Sequence, residues 1–390
     1  MQKRTIVHLL ILSGLVLTGL CGCGKQSGPP GEQTAGSTEQ GSGAGESSAS
    51  GQEETAGEAE YFINGAGAVV WRGKQLTIGF SQIGAESDWR LASSASMEDT
   101  FSIGNGYNLI FDNAQQKQEN QIKAIREFID QGVDYIILDP IVETGWTSSL
   151  KEAKEAGIPV IVVDREVRAD DEDLYTAWFG SDFRLEGDRA CMWLKEYLKQ
   201  SGWKKRVNIV HIQGTIDSSA QIGRSQALFD AAKENGWNLL RSSCGDFVQA
   251  KGKEVAETAL KEFGDEIQVF YCENDNMAYG AIEAIEESGR KAGFNLSEGE
   301  ILILSFDSAR EGLEYTLSHQ IAVDTECNPL YGPALSRLIL ELETSAAVSK
   351  KNYSEEEQFS AYESISSLTV DNQDLPVTMI TPDLIKKRIY

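Results

Sequence analysis

The sequence predicts an α/β fold built from two doubly wound parallel-sheet lobes, and three observations carry that prediction. First, Tyr135-Ile136-Ile137-Leu138 and Val160-Ile161-Val162-Val163 are continuous apolar runs. Strands apolar on both faces belong to parallel sheets covered by helices. Second, strand-like and helix-like stretches alternate from Leu76 to Ser318; one sheet would have to hold too many strands, so two lobes are the better solution. Third, Asp164-Arg165 stands where the second apolar run stops. Ligands of such sheets bind beyond the carboxyl ends of the strands.

Taken in order, Leu76–Phe80 and Tyr107–Phe111 read as the opening strands. Ile122, Ile125, Phe128 and Ile129 recur at helical spacing, and Gly132 follows where a helix end favours positive φ. Tyr135–Leu138 closes at Asp139-Pro140, a second helix ends at Gly157-Ile158-Pro159, and Val160–Val163 follows. The next block predicts a helix over 185–198, a strand over 207–212 and a helix over 220–233. Strand 239–242, helix 250–262, strand 267–271 and helix 277–288 continue it, and strand 301–306 with a helix to Ser318 ends it.

A chain of 390 residues with 41% apolar content can bury more than one core. Its formal charge of −25 excludes nucleic acid as a partner, since phosphate affinity needs clustered Lys and Arg. His211 and His319 have no Cys or His neighbours at zinc-ligand spacing, and no metal or cofactor is expected. At the start, Lys3-Arg4 precedes an apolar stretch, Ile6 to Leu17, that is short for a membrane span. Leu20-Cys21-Gly22-Cys23 resembles the lipobox of bacterial lipoproteins. Residues 1–22 are therefore expected to be a lipoprotein signal peptide and Cys23 the lipidated residue, which implies an extracytoplasmic protein anchored to the bacterial cell membrane. Residues 23–60 are rich in Gly, Ser and Glu and read as a flexible acidic linker. Among the remaining cysteines, Cys191, Cys244, Cys272 and Cys327, the spacing selects no disulfide, and Cys191 reads as core. The acidic runs 170–173 and 355–357 read as solvated surface.

From Leu76 to about Val370 the chain resembles the periplasmic sugar-binding proteins of ABC importers, the group with the ribose- and galactose-binding proteins. The resemblance rests on Gly79-Phe80-Ser81-Gln82-Ile83-Gly84 through Trp89-Arg90, on Gln115 to Gln121, and on Gly145-Trp146 and Asp164-Arg165. Gln213-Gly214-Thr215, Gly245-Asp246-Phe247, Asn274-Asp275 and Phe306-Asp307 complete it in family order. It implies the type I periplasmic binding protein fold, whose lobes are joined by a three-segment hinge. Matching the hinge strands puts the crossings near Ser181-Asp182, Glu326-Cys327 and Ser364 to Ser367. The N-terminal lobe is then 76–181 with 327–365, and the C-terminal lobe is 182–326 with 366–390. The implied partners are a monosaccharide and the permease of an ABC importer, the protein itself being a monomer.

A sugar site needs carboxylate and amide acceptors, guanidinium forks and an aromatic face. Carried over by position, the resemblance assigns ligand binding to Glu86, Trp89, Arg90, Asp164, Arg165, Arg224, Phe247, Asn274, Asp307 and Glu326, with Trp146 a further aromatic candidate. Trp89-Arg90 departs from the ribose type, which has two phenylalanines there, and agrees with the galactofuranose type. Singly, each residue has a plainer reading: Asp164-Arg165 as a surface ion pair, Asn274 as a helix cap, Phe247 as core. Their joint placement at strand ends favours a site. A glycosidase reading of the carboxylates fails because their Arg and Asn neighbours keep them ionised, whereas an acid catalyst needs a raised pKa. Presentation of sugar to a chemoreceptor or membrane histidine kinase is the alternative to import that the sequence leaves open.

Overall fold

The computed structural model describes residues 60–390. The signal peptide, Cys23 and the linker before Glu60 lie outside them. Two parallel sheets organise the described chain. The first has six strands in the spatial order 351–353, 177–180, 160–163, 135–138, 76–82 and 107–113. The second has seven, in the order 378–379, 358–360, 323–326, 302–307, 269–272, 208–213 and 238–244. Pairing is parallel except between Val323–Glu326 and Gln358–Ser360. In each sheet the first strand in the chain lies inside the second, so the order reverses beside it and opens a crevice at the carboxyl ends.

The apolar runs become the buried centre. Tyr135–Leu138 and Val160–Val163 are buried at every residue, as are Val269–Cys272 and Leu302–Asp307. Helix Gln118–Gln131 presents Ala124, Ile125 and Phe128 to the first sheet and ends at Gly132 with φ of 64°. Helix Phe183–Gln200 packs Ala190, Cys191, Trp193 and Leu194 against the second sheet. Cys191, Cys244, Cys272 and Cys327 are all free thiols.

Among the described residues the chain passes between sheets three times. It leaves the first sheet after Gly180 and enters helix Phe183–Gln200; it leaves the second after Glu326 and enters helix Gly332–Glu343, which packs on helix Asp88–Thr100. The third passage corrects the expected crossing near 364–367. Lys351–Tyr353 pairs with the first sheet while Gln358–Ser360 already pairs with the second, so the chain crosses at 354–357. A further antiparallel pair, Ser367–Val370 with Gln373–Pro376, follows on the second-sheet side, where Leu368 joins the core under helix Phe183–Gln200. In the run 355–357, expected as surface, Glu355 and Glu357 are exposed while Glu356 is half-buried within the crossing.

Candidate functional site

Where the carboxyl ends of the two sheets face each other lies a small cavity of about 30 Å³. Its walls include Glu86, Trp89, Arg90, Asp164 and Arg165 from the first lobe and Arg224, Phe247, Asn274 and Asp307 from the second. Nine of the ten expected ligand residues thus meet at one place. The lobes touch across it: the Glu143 N–H donates to the Asp217 carbonyl at 3.0 Å, and the Glu166 N–H to Ser219 Oγ at 2.8 Å. The described protein is closed.

On the first-lobe side the organising group is Arg90, in the first turn of helix Asp88–Thr100. Ser87 caps that helix by accepting from the Arg90 N–H at 3.2 Å. The guanidinium donates through Nε to Glu86 at 3.0 Å and through Nη2 to Asp164 at 2.9 Å, while Nη1 engages Asp139. It also lies 4.6 Å from the Trp89 ring centroid. Burial works against its charge, but Asp139, Asp164 and Glu86 outweigh that and hold its pKa well above the ordinary value. Three carboxylates around one guanidinium leave acceptor capacity to spare: Glu86 Oε2 is buried with no partner among the described residues. Asp164 follows strand Val160–Val163 with φ of 55°, and a Cβ on Gly180 would come within 2.6 Å of its carbonyl oxygen. Glycine there is what lets the Asp164 turn pack.

Arg165 donates to the Ile141 carbonyl at 2.9 Å and lies over Phe247 of the other lobe. Burial, then the charge of Arg90, push its pKa down. Phe247 sits in a loop at φ of 62° after strand Asn238–Cys244. Its ring rests on Gly214, where an added Cβ would lie 1.9 Å from Phe247 Cζ. Arg224, inside helix Ser219–Asn235, donates through Nε to Glu186 at 2.7 Å and through Nη2 to Asp307 at 3.5 Å. Burial pushes Asp307 well above the carboxylate range despite Arg224, so the expectation that an arginine neighbour keeps the site carboxylates ionised does not hold at this residue. Asn274 lines the cavity and also caps helix Asp275–Glu287, its Oδ1 accepting from the Met277 N–H at 2.9 Å. Asp275 is structural: it accepts from Ser305 Oγ at 2.6 Å and from the Ala309 N–H at 2.8 Å.

Glu326 is not at the cavity. Its carboxylate accepts from Arg388 Nη1 at 2.7 Å, from the Tyr390 hydroxyl at 2.7 Å and from the Glu357 N–H at 2.8 Å. The C-terminal tail and the third crossing use the group, which leaves nothing to offer a ligand. Its neighbour Cys327 lines the cavity instead. Trp146 is fully buried in the first-lobe core, donating to the Val142 carbonyl at 2.7 Å. Asp139 carries a signal in the sequence, since it ends an apolar strand as Asp164 does, and it supplies the carboxylate behind Arg90. Phe183, also in the wall, carries no comparable signal, because only the first crossing brings it there.

Two lobes of doubly wound sheet closed over a polar, charge-paired cavity define a ligand-binding protein. The family model for the periplasmic binding protein domain matches residues 78–325, and the chain belongs to that family. The chain is 39% identical to the galactofuranose-binding protein YtfQ of Escherichia coli K12 over 268 residues, covering 67% of this chain and 81% of the relative. A Mycobacterium smegmatis structure in complex with β-D-fucofuranose is 38% identical, with a TM-score of 0.69 over 74% of this chain and 92% of that one. The binding-protein component of the arabinose ABC transporter of Shewanella sp. ANA-3, bound to α- and β-L-arabinofuranose, is 38% identical, with a TM-score of 0.66 over 73% and 91%. Family membership implies an extracytoplasmic location, and the chain is a binding protein, not an enzyme.

Proposed function

We propose that this protein captures one monosaccharide in furanose form, with galactofuranose favoured, and delivers it to an ABC importer. The observation that carries the reading is the convergence of three arginines, their carboxylate partners and an aromatic ring on one cavity between the lobes. Carboxylates such as Glu86 and Asp164 accept from hydroxyls, guanidinium groups donate to neighbouring oxygens, and Phe247 offers a face to the C–H side of a sugar ring. The three relatives support the ring form. Fucofuranose is galactofuranose without its terminal hydroxyl, and L-arabinofuranose has the same ring stereochemistry with a shorter exocyclic arm. A site built on the shared ring carbons fits all three.

Affinity should be micromolar or tighter, about −8 kcal/mol or better, within reach of a few charge-assisted hydrogen bonds and one stacked face. The lobes close on ligand because Asp164 and Arg165 come from one lobe while Arg224, Asn274 and Asp307 come from the other. Lipidation at Cys23 would hold the binding body near its permease on the acidic linker. Calorimetry against galactose, D-fucose, L-arabinose, ribose and fructose tests the assignment. Heat with the first three and little with ribose is the expected result; no heat with any of them overturns the carbohydrate reading.

A further inference from the structure

The three crossings between the lobes meet at one cluster of acids. Ser181 comes from the first crossing, Cys327 and Asn328 from the second and Glu356 from the third, beside Glu186 in the first turn of helix Phe183–Gln200. Ligating atoms of Glu186, Cys327 and Glu356 all lie within 4.8 Å of one another. Glu356 is partly exposed as a residue, yet its carboxyl turns inward: Oε1 accepts from the Asn328 N–H at 3.0 Å and from the Ser181 hydroxyl. One carboxyl oxygen of the third crossing therefore ties down the other two. Ser181 Oγ is also 3.2 Å from Cys327 Sγ.

The cluster is short of positive charge. Arg224 donates to Glu186 Oε2 but is shared with Asp307, and Glu186 Oε1 has no partner among the described residues. Arg189 donates at 3.0 Å to the main-chain carbonyl of Glu356, not to its carboxyl. Glu326 adds a further negative charge from the second crossing, itself held by Arg388 and Tyr390. Asp164 and Asp182 face Glu186 from the first lobe and the first crossing. Two carboxyl groups thus sit together at the hinge, Glu186 with a share of Arg224 and Glu356 near Arg189 without a hydrogen bond from it to the carboxyl.

We propose that the Glu186–Glu356 pair carries one proton in the closed protein, so that closing the lobes on ligand takes up a proton at the hinge. The ligand arm of this inference rests on the sugar reading above. Burial pushes Glu186 up to about 7 against the pull of Arg224, and burial, then the charge of Glu186, push Glu356 well above the carboxylate range. The Cys327 thiol, raised by burial and by both acids, stays neutral. Opening separates the crossings and admits water, which returns the carboxyls toward their ordinary values. The closed form then binds more protons than the open one. Closure is fully favoured below the ordinary carboxylate range and weakens as pH rises through the raised closed-form value. Because Arg224 joins Glu186 to the cavity, the ligand and the proton act on the same rotation.

The test uses the full-length protein and calorimetry with L-arabinose and D-galactose from pH 5.5 to 8.5, in buffers of different ionisation enthalpy. The expected Kd rises by about tenfold per pH unit from pH 5.5 and levels off as pH passes the raised closed-form value, with about one proton taken up per ligand bound on the rising part and none on the plateau. Glu356→Gln keeps an acceptor for Ser181 and Asn328 and needs no proton, so it should bind at least as tightly as the wild type at pH 5.5 and lose the slope. A wild-type Kd independent of pH, no proton uptake, or a variant that keeps the slope each overturns the proposal. If Glu356→Gln does not fold, the wild-type proton count decides alone. Small-angle scattering of the ligand-free protein supplies an arm independent of sugar. Acid should favour closure, so the radius of gyration should be smaller at pH 5.5 than at pH 8.5 in the wild type and the same at both in Glu356→Gln; a wild-type radius independent of pH would overturn the hinge proton. No heat with either sugar at pH 5.5, with that pH-dependent radius present, would overturn the ligand reading alone.

Discussion

Arg165 of the first lobe lies with its guanidinium 5.1 Å from the ring centroid of Phe247 in the second. This contact joins the lobes at the cavity itself, and it couples a predicted hydroxyl donor to the predicted stacking face. Arg165 is almost fully buried, and its fork is only partly used, by the Ile141 carbonyl.

Arg165→Ala should weaken sugar binding by about 2–4 kcal/mol, because it removes a buried donor and leaves ligand oxygens unpaired. Glu143→Ala is the comparison. That carboxylate pairs at 2.6 Å with an Arg168 whose side chain is 70% exposed, an interaction worth about 0–1 kcal/mol. Equal losses in calorimetry would show that Arg165 contributes no more than surface charge.

Gly214→Ala should displace Phe247, since the new methyl would occupy the ring's position. Overpacking of this kind costs about 1–3 kcal/mol. The expected outcome is a lower affinity with circular dichroism unchanged. Wild-type affinity would mean that the Phe247 face takes no part in binding.

Glu326→Gln separates stability from binding. It breaks the buried ion pair with Arg388, whose loss costs about 3–5 kcal/mol when one charge is left behind. Urea unfolding should report that loss while sugar affinity at constant pH changes less than about threefold, under 1 kcal/mol. A large affinity loss with intact stability would return Glu326 to the ligand shell.

Ser219→Ala removes the acceptor for the Glu166 N–H, one of the hydrogen bonds that exist only when the lobes meet. About 1 kcal/mol of closure, or roughly fivefold in Kd, should be lost. Small-angle scattering should show a larger ligand-free radius of gyration than in the wild type; an identical radius and Kd would show that the contact does not bias closure.

Behind Asp307, Asp324 is pushed up to about 7 by burial, and its Oδ1 accepts from the Ser308 N–H at 3.1 Å. Its folded value lies above the unfolded one, so its contribution to stability is fully present below about pH 4 and is lost as pH rises through 7. Asp324→Asn should flatten that decline by a few kcal/mol at most in urea titrations at pH 5 and pH 8. An unchanged difference between the two pH values would show that Asp324 is not the group.

Much of the fold was legible because its strands and helices have strong periods. The apolar runs 135–138 and 160–163 could be read directly, and Gly132 ends its helix as the C-cap pattern requires. Strand Val323–Glu326 was harder, since Asp324, Thr325 and Glu326 are polar residues buried at the sheet's carboxyl end. The third crossing was placed too late because Gln358–Ser360 is only three residues long. Local pattern does not say which sheet such a strand joins; the partner Val323–Glu326 does.

By itself, then, the sequence determined the doubly wound class and the strand-end positions of Asp164, Asn274 and Asp307. Both follow from hydrophobic periodicity, which is a local property of the chain. Tertiary structure decided the assignments that depend on competition for one group. Glu326 and Cys327 are neighbours in sequence, yet the tail takes the carboxylate of one while the other faces the cavity. Glu356 reads as one acid in a surface run until three crossings fold around its carboxyl. A charged side chain goes where its desolvation is best offset, and the partners that offset it lie far away along the chain.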